Sequence, residues 1–109
     1  MAYDLFARLY RRAADYNDID QYISEQGWVE GFDEVVISDL LKQIYILAKN
    51  DFTVNRKKVT SNRSEFARSY GIPIRTVQDW ELGNRKMPGY LKELIDYTIF
   101  VGAGHGSTN

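Results

Sequence analysis

Apolar side chains recur at helical spacing along most of the chain. Leu5, Phe6, Leu9, Tyr10 and Ala13 share one face of residues 3–16, with Arg8, Arg11 and Arg12 falling largely elsewhere. Asn17 or Asp18 can cap a second helix over 18–26, whose stripe is Ile19, Tyr22 and Ile23, and Gly27 is a natural stop. Residues 27–34, GWVEGFDE, read as a loop in which Trp28 and Phe32 plug a core edge. Residues 35–49 put Val36, Ile37, Leu40, Leu41, Ile44, Leu47 and Ala48 on a face wide enough for a central helix. Residues 50–61, NDFTVNRKKVTS, show no clear period and read as a loop, a distorted turn or a short extended piece.

The punctuation then sharpens. Asn62 is an N-cap candidate and Glu65, three residues on, completes a capping-box pattern. Gly71 closes that short helix, because a glycine tolerates the left-handed conformation a helix end requires. Pro73 starts the next helix, since the first turn needs no amide hydrogen there, and Gly83 stops it after Leu82. A last helix begins near Pro88 with Leu91, Leu94, Ile95, Tyr97 and Ile99 inward. The expectation is an all-α chain of about six helices.

Two short helices joined by a Gly-containing turn make a helix-turn-helix unit. Ala67 is small enough for a close crossing, Ile72 plugs the turn, and Val77 and Trp80 face the core. Arg75, Thr76, Gln78 and Asp79 then project outward, where hydrogen-bonding side chains can reach base edges.

Composition narrows the function classes. A chain of 109 residues, 44% of them hydrophobic, suggests one domain with a real but modest core. It has no cysteine, so neither a disulfide framework nor a thiolate metal site is possible. Its one histidine, His105, sits in the Gly-rich end VGAGHGSTN, which reads as a flexible tail, so no metal and no cofactor are expected. No Ser-His-Asp or Cys-His set can form outside that tail, and no phosphate-cradling glycine loop follows a strand; an enzyme is not expected. No apolar run approaches the roughly 20 residues of a membrane span, and the first residues do not read as a signal peptide; a soluble, cytoplasmic protein is expected. The eight tyrosines fit core and rim packing at helical spacing better than stacking on single-stranded bases.

The net charge of −1 hides a split: residues 1–51 balance to −5 and residues 52–109 to +4. A basic half in an otherwise neutral chain points toward a polyanion.

The run NRSEFARSYGIPIRTVQDWELGNRKMP resembles the Cro/C1-type (XRE) helix-turn-helix family of bacterial and phage regulators. The residues that carry the likeness are Glu65, Phe66, Ala67, Gly71, Ile72, Pro73, Arg75, Thr76, Gln78, Trp80, Glu81, Gly83, Arg85 and Pro88. The resemblance covers residues 62–97 and implies a lambda-repressor-like fold, with residues 74–82 as the recognition helix. It implies that Ile74, Arg75, Thr76 and Asp79 read bases. It further implies that Asn62 and Arg63, and Asn84, Arg85 and Lys86, anchor phosphates of double-stranded DNA. Arg56, Lys57 and Lys58 join them as phosphate candidates because they lie in the basic half. Glu81 is expected in a structural ion pair with Arg68 or Arg56.

The implied organisation is an N-terminal helical extension at 1–34, a DNA-binding domain at 35–101 and a flexible tail at 102–109. Family members usually act as homodimers, but the fifth helix that often forms their seam is missing here. The extension is therefore expected either to pack on helix 35–49 and supply the seam, or to grip a partner protein. The implied function is a transcriptional repressor acting by promoter occlusion. The alternative is a protein-binding inhibitor or antitoxin, of toxin–antitoxin or phage anti-defence type, that regulates its own operon through the same motif.

Overall fold

The computed structural model describes residues 1–27 and 29–102, so the expectations placed on Trp28, on His105 and on the tail from 103 onward lie outside the described residues. Helix α1 spans Tyr3–Arg12 and runs on as a 3-10 turn over Ala13–Asp15. It is followed by α2 (Ile19–Gln26), α3 (Glu34–Lys49), α4 (Phe52–Val59), α5 (Arg63–Tyr70), α6 (Ile74–Leu82) and α7 (Gly89–Gly102). The described residues thus form seven α-helices and no strand.

The caps explain the boundaries. The Asp18 carboxylate accepts from the amides of Asp20 and Gln21 at the start of α2, and Gly27 ends that helix at φ 63°. Asp33 caps α3 through the Val35 amide. Each cap pairs helix-end amides that would otherwise need water.

Two apolar cores form. The larger gathers Phe6, Leu9 and Ala13 from α1 and its 3-10 extension, Tyr22 from α2, Ile37, Leu41 and Ile44 from α3, and Phe100 from α7. Phe6 lies at its centre, with the rings of Tyr10, Tyr97 and Phe100 at 5.4, 5.0 and 5.1 Å. The smaller joins Phe52, Phe66, Ala67, Val77 and Ile95, with Trp80 against its edge. The apolar stripes of α1 and α2 are therefore consumed inside the chain, and residues 1–34 share one core with the helices that follow.

Helix α7 runs between the two cores and carries buried acids where it meets them. Asp96 is fully buried and accepts from Tyr10 Oη (2.7 Å), Lys92 Nζ (2.7 Å) and Asn55 Nδ2 (3.0 Å). Lys92 and Asn55 also donate to the Leu47 carbonyl, so α1, α3, α4 and α7 meet at one polar knot. Three residues earlier on the chain, Glu93 takes both arms of Arg11, each at 2.8 Å, and the Tyr3 hydroxyl.

Three sequence expectations need correction. Residues 52–59 form helix α4, although the sequence showed no period there. The inward face of α4 is Phe52, Asn55 and Arg56, so two of its three buried positions are polar. Val36 is 50% exposed, because the first turn of α3 points Ile37 into the core instead. Leu94 is 42% exposed, because α7 turns Glu93, Ile95 and Asp96 inward instead.

Candidate nucleic-acid interface

The site is built on α5, the turn after it, α6 and the loop that follows. Asn62 Oδ1 accepts from the Glu65 amide at 3.0 Å and starts α5. The expected box is only half formed: the Asn62 amide donates to Thr60 Oγ1 at 3.1 Å, not to Glu65. At the other end Gly71 adopts φ 66° and ψ 29°, and the Ile72 amide reaches back to the Ala67 carbonyl at 2.9 Å. This closure reverses the chain within two residues. The Pro73 carbonyl then accepts from Thr76 and Val77, and α6 begins.

Packing fixes which side of α6 faces out. Val77 is fully buried and Trp80 meets Phe52 edge-on at 5.6 Å. Phe66 and Ala67 supply the facing surface from α5. Arg75 is exposed, Ile74 is 37% exposed, and Thr76, Gln78 and Asp79 are half-buried. The loop wraps back onto α6: Gly83 takes φ 80°, and the amides of Asn84 and Arg85 converge on the Asp79 carbonyl at 2.9 and 3.2 Å. The exposed side chains of Asn84, Arg85 and Lys86 are thereby held at the end of the same helix that carries Arg75.

A buried carboxylate organises the cations. The Glu81 side chain is 2% exposed and accepts from Nε and Nη2 of Arg56, at 2.8 and 2.9 Å, and from Nε of Arg63 at 3.0 Å. Burial pushes its carboxyl upward, but the two guanidiniums outweigh burial and hold it below the usual glutamate value. The sequence offered Arg56 or Arg68 for Glu81, and the structure selects Arg56. That choice corrects the place given to Arg56 among phosphate contacts. Its side chain is 3% exposed, and its remaining donors go to the carbonyls of Thr60 and Ser61 at 3.0 and 3.1 Å. It joins α4 to α6 and to the α4–α5 connection, with no face left for solvent.

The neighbouring cations differ. Lys57 and Lys58 are exposed on the last turn of α4. Arg63 keeps 36% of its side chain exposed while Glu81 fixes its position at the first residue of α5. The Arg63–Glu81 bond went unseen in sequence. Its one signal was the Asn62 cap, which places residue 63 at the helix start beside the connection that Arg56 holds.

No family model matches this chain, and no curated protein or solved structure matches it. What the site can do therefore rests on its own geometry: a half-buried polar helix face, a fixed arginine at one end and exposed cations at the other.

Proposed function

We propose that the chain is a sequence-specific double-stranded DNA-binding protein, acting as a homodimeric transcriptional repressor by promoter occlusion. In this reading α5 and α6 are a lambda-repressor-like helix-turn-helix. The observation that carries it is the presentation of α6: its inner face is locked by Val77 and Trp80, while Arg75 stands exposed between groups suited to phosphates. Arg75 pairs bidentately with a guanine edge, and Ile74, Thr76 and Asp79 supply the adjoining contacts. Arg63 and the α5 N-terminus hold one phosphate strand; Arg85, Lys86 and the side chain of Asn84 hold the other. Lys57 and Lys58 extend the basic rim, and Arg56 acts behind it as a scaffold residue.

Selection of bound duplexes from a random library tests this reading and returns the site. With about four to six phosphates neutralised per dimer, log K falls against log salt with a slope of roughly −4 to −5. A flat salt response, or no enriched duplex, sinks the DNA reading.

A second reading, a protein-binding inhibitor or antitoxin, draws on the start of α3. There Val35 is 78% exposed beside the exposed acids Asp33, Glu34 and Asp39. A cationic partner with an apolar tip would suit that corner, and Val35→Asp would then abolish partner capture while leaving duplex binding intact.

A further inference from the structure

Helix α7 buries acids beside its apolar residues and leaves an uncharged face outward. Its acids Glu93 and Asp96 are buried, and Lys92 is half-buried and committed to Asp96. Its exposed positions are Gly89, Tyr90, Leu94, Thr98 and Gly102, none of them charged. Tyr90, Leu94, Thr98 and Gly102 follow at intervals of four, so they form one stripe along the helix. Tyr90 is 71% exposed and stands up as a knob at one end of it. At the other end Thr98 and Gly102 open onto a groove of about 500 Å³ lined also by Leu47, Lys58, Tyr70, Ile99 and Phe100.

We infer that a second copy of this chain docks on this stripe, antiparallel, with the two-fold axis passing beside Leu94. Knob and groove suit that operation. Tyr90 and Thr98 lie four residues either side of Leu94, so a two-fold at Leu94 carries each Tyr90 onto the partner's Thr98 and its groove. The contact is the same patch on both copies, made twice, as a two-fold requires. Charge does not oppose self-pairing: the stripe carries none, and Lys58, the cation that lines the groove, would meet the partner's Tyr90 ring and not a like charge. Tyr70 and Thr98, both lining the groove, share a hydroxyl bond at 2.6 Å, so the partner's ring would seat against α5 as well as α7. Tyr and its phenol suit such a place, being apolar in body and polar at the tip. One helix pair with two such contacts is a small interface, and it gives a dimer of about micromolar affinity.

This inference deepens the proposed function by naming where two copies meet, but its test contains no DNA. Sedimentation of the full chain between about 1 and 200 µM reads the dissociation constant. Leu94→Glu puts two carboxylates at the axis and raises that constant about tenfold or more. Leu94 is already partly exposed, so circular dichroism of this variant should match the parent. Because the chain lacks cysteine, register can be read by oxidation. Leu94→Cys should form a disulfide dimer with itself, and a mixture of Tyr90→Cys and Thr98→Cys should cross-link to each other. Ser24→Cys, exposed on α2, should not cross-link. A parent chain that stays monomeric at all these concentrations overturns the inference, as does a dimer indifferent to Leu94→Glu. A dimer with this register that selects no duplex would keep the seam and remove the DNA reading.

Discussion

The two cores are held together by different physics. The one built from α1, α2, α3 and the end of α7 has twelve buried residues and an aromatic centre at Phe6. The one built from α4, α5, α6 and Ile95 has five. Five buried side chains give little hydrophobic stabilisation for three short helices, so the smaller core leans on a polar clamp. Glu81 and Arg56 supply it, joining α4 to α6 where apolar area runs short. The lesson is that the region carrying the proposed recognition surface is the thinner one. In that reading its outward side chains are left for DNA, and a buried ion pair fixes its geometry.

That contrast can be broken most sharply at Glu81. Glu81→Ala leaves the Arg56 guanidinium buried without a carboxylate and should cost about 3–5 kcal/mol in denaturant unfolding. The paired change Arg56→Met with Glu81→Leu should recover most of the loss, because it removes both charges together. Failure to recover would mean that the pair does more than hold α4 against α6.

Acid should separate the buried carboxylates by sign. Glu81 is held below its ordinary value, so its stabilisation is fully present above about pH 4.3 and is lost as pH falls through the folded value. Glu93, which ties α7 to α1, is likewise held low by Arg11 and Tyr3, so acid weakens the larger region there too, whereas Asp96 runs the other way. Burial raises its carboxyl despite Lys92, Tyr10 and Asn55, so its penalty is relieved as pH falls through its folded value. Trp80 fluorescence, read in a Trp28→Phe background, should therefore report the smaller core loosening below about pH 4. A Trp80 signal unchanged through that range, or equally acid-sensitive in Glu81→Gln, would contradict the role given to Glu81.

Smaller effects test the surface itself. Arg75→Ala should cost about 1–3 kcal/mol on the preferred duplex and relax one base position, with little change in melting. An equal loss on random DNA would make Arg75 a phosphate anchor. Asn62→Ala should cost about 1 kcal/mol of folding stability, measured by urea titration, because the cap to Glu65 is lost.

Local signals were legible in the sequence and lateral ones were not. Asn62, Gly71 and Gly83 act on amides within a few residues, so spacing revealed them. The burial of Phe6, Leu9, Ile37, Leu41 and Ile44 also followed from period alone. Helix α4 hid because its inward face holds Asn55 and Arg56, and their partners Asp96 and Glu81 lie 41 and 25 residues away. For the same reason Arg56 looked like Lys57 and Lys58: three cations in a row differ only by which side of a helix each occupies. Leu94 was misplaced because α7 buries its acids, the reverse of the usual pattern.

Tyr3 and Tyr10 bond to Glu93 and Asp96, partners 90 and 86 residues further along the chain. On a ribosome adding about 5–20 residues per second, α1 waits roughly 4–18 seconds for them. Helix α3 can cover the α1 stripe in the meantime, but the hydroxyls of both tyrosines and the Arg11 guanidinium must stay hydrated. Closure of the larger core is thus a late event set by the arrival of α7, and slow translation before residue 90 lengthens the interval in which α1 stands open to chaperones and proteases.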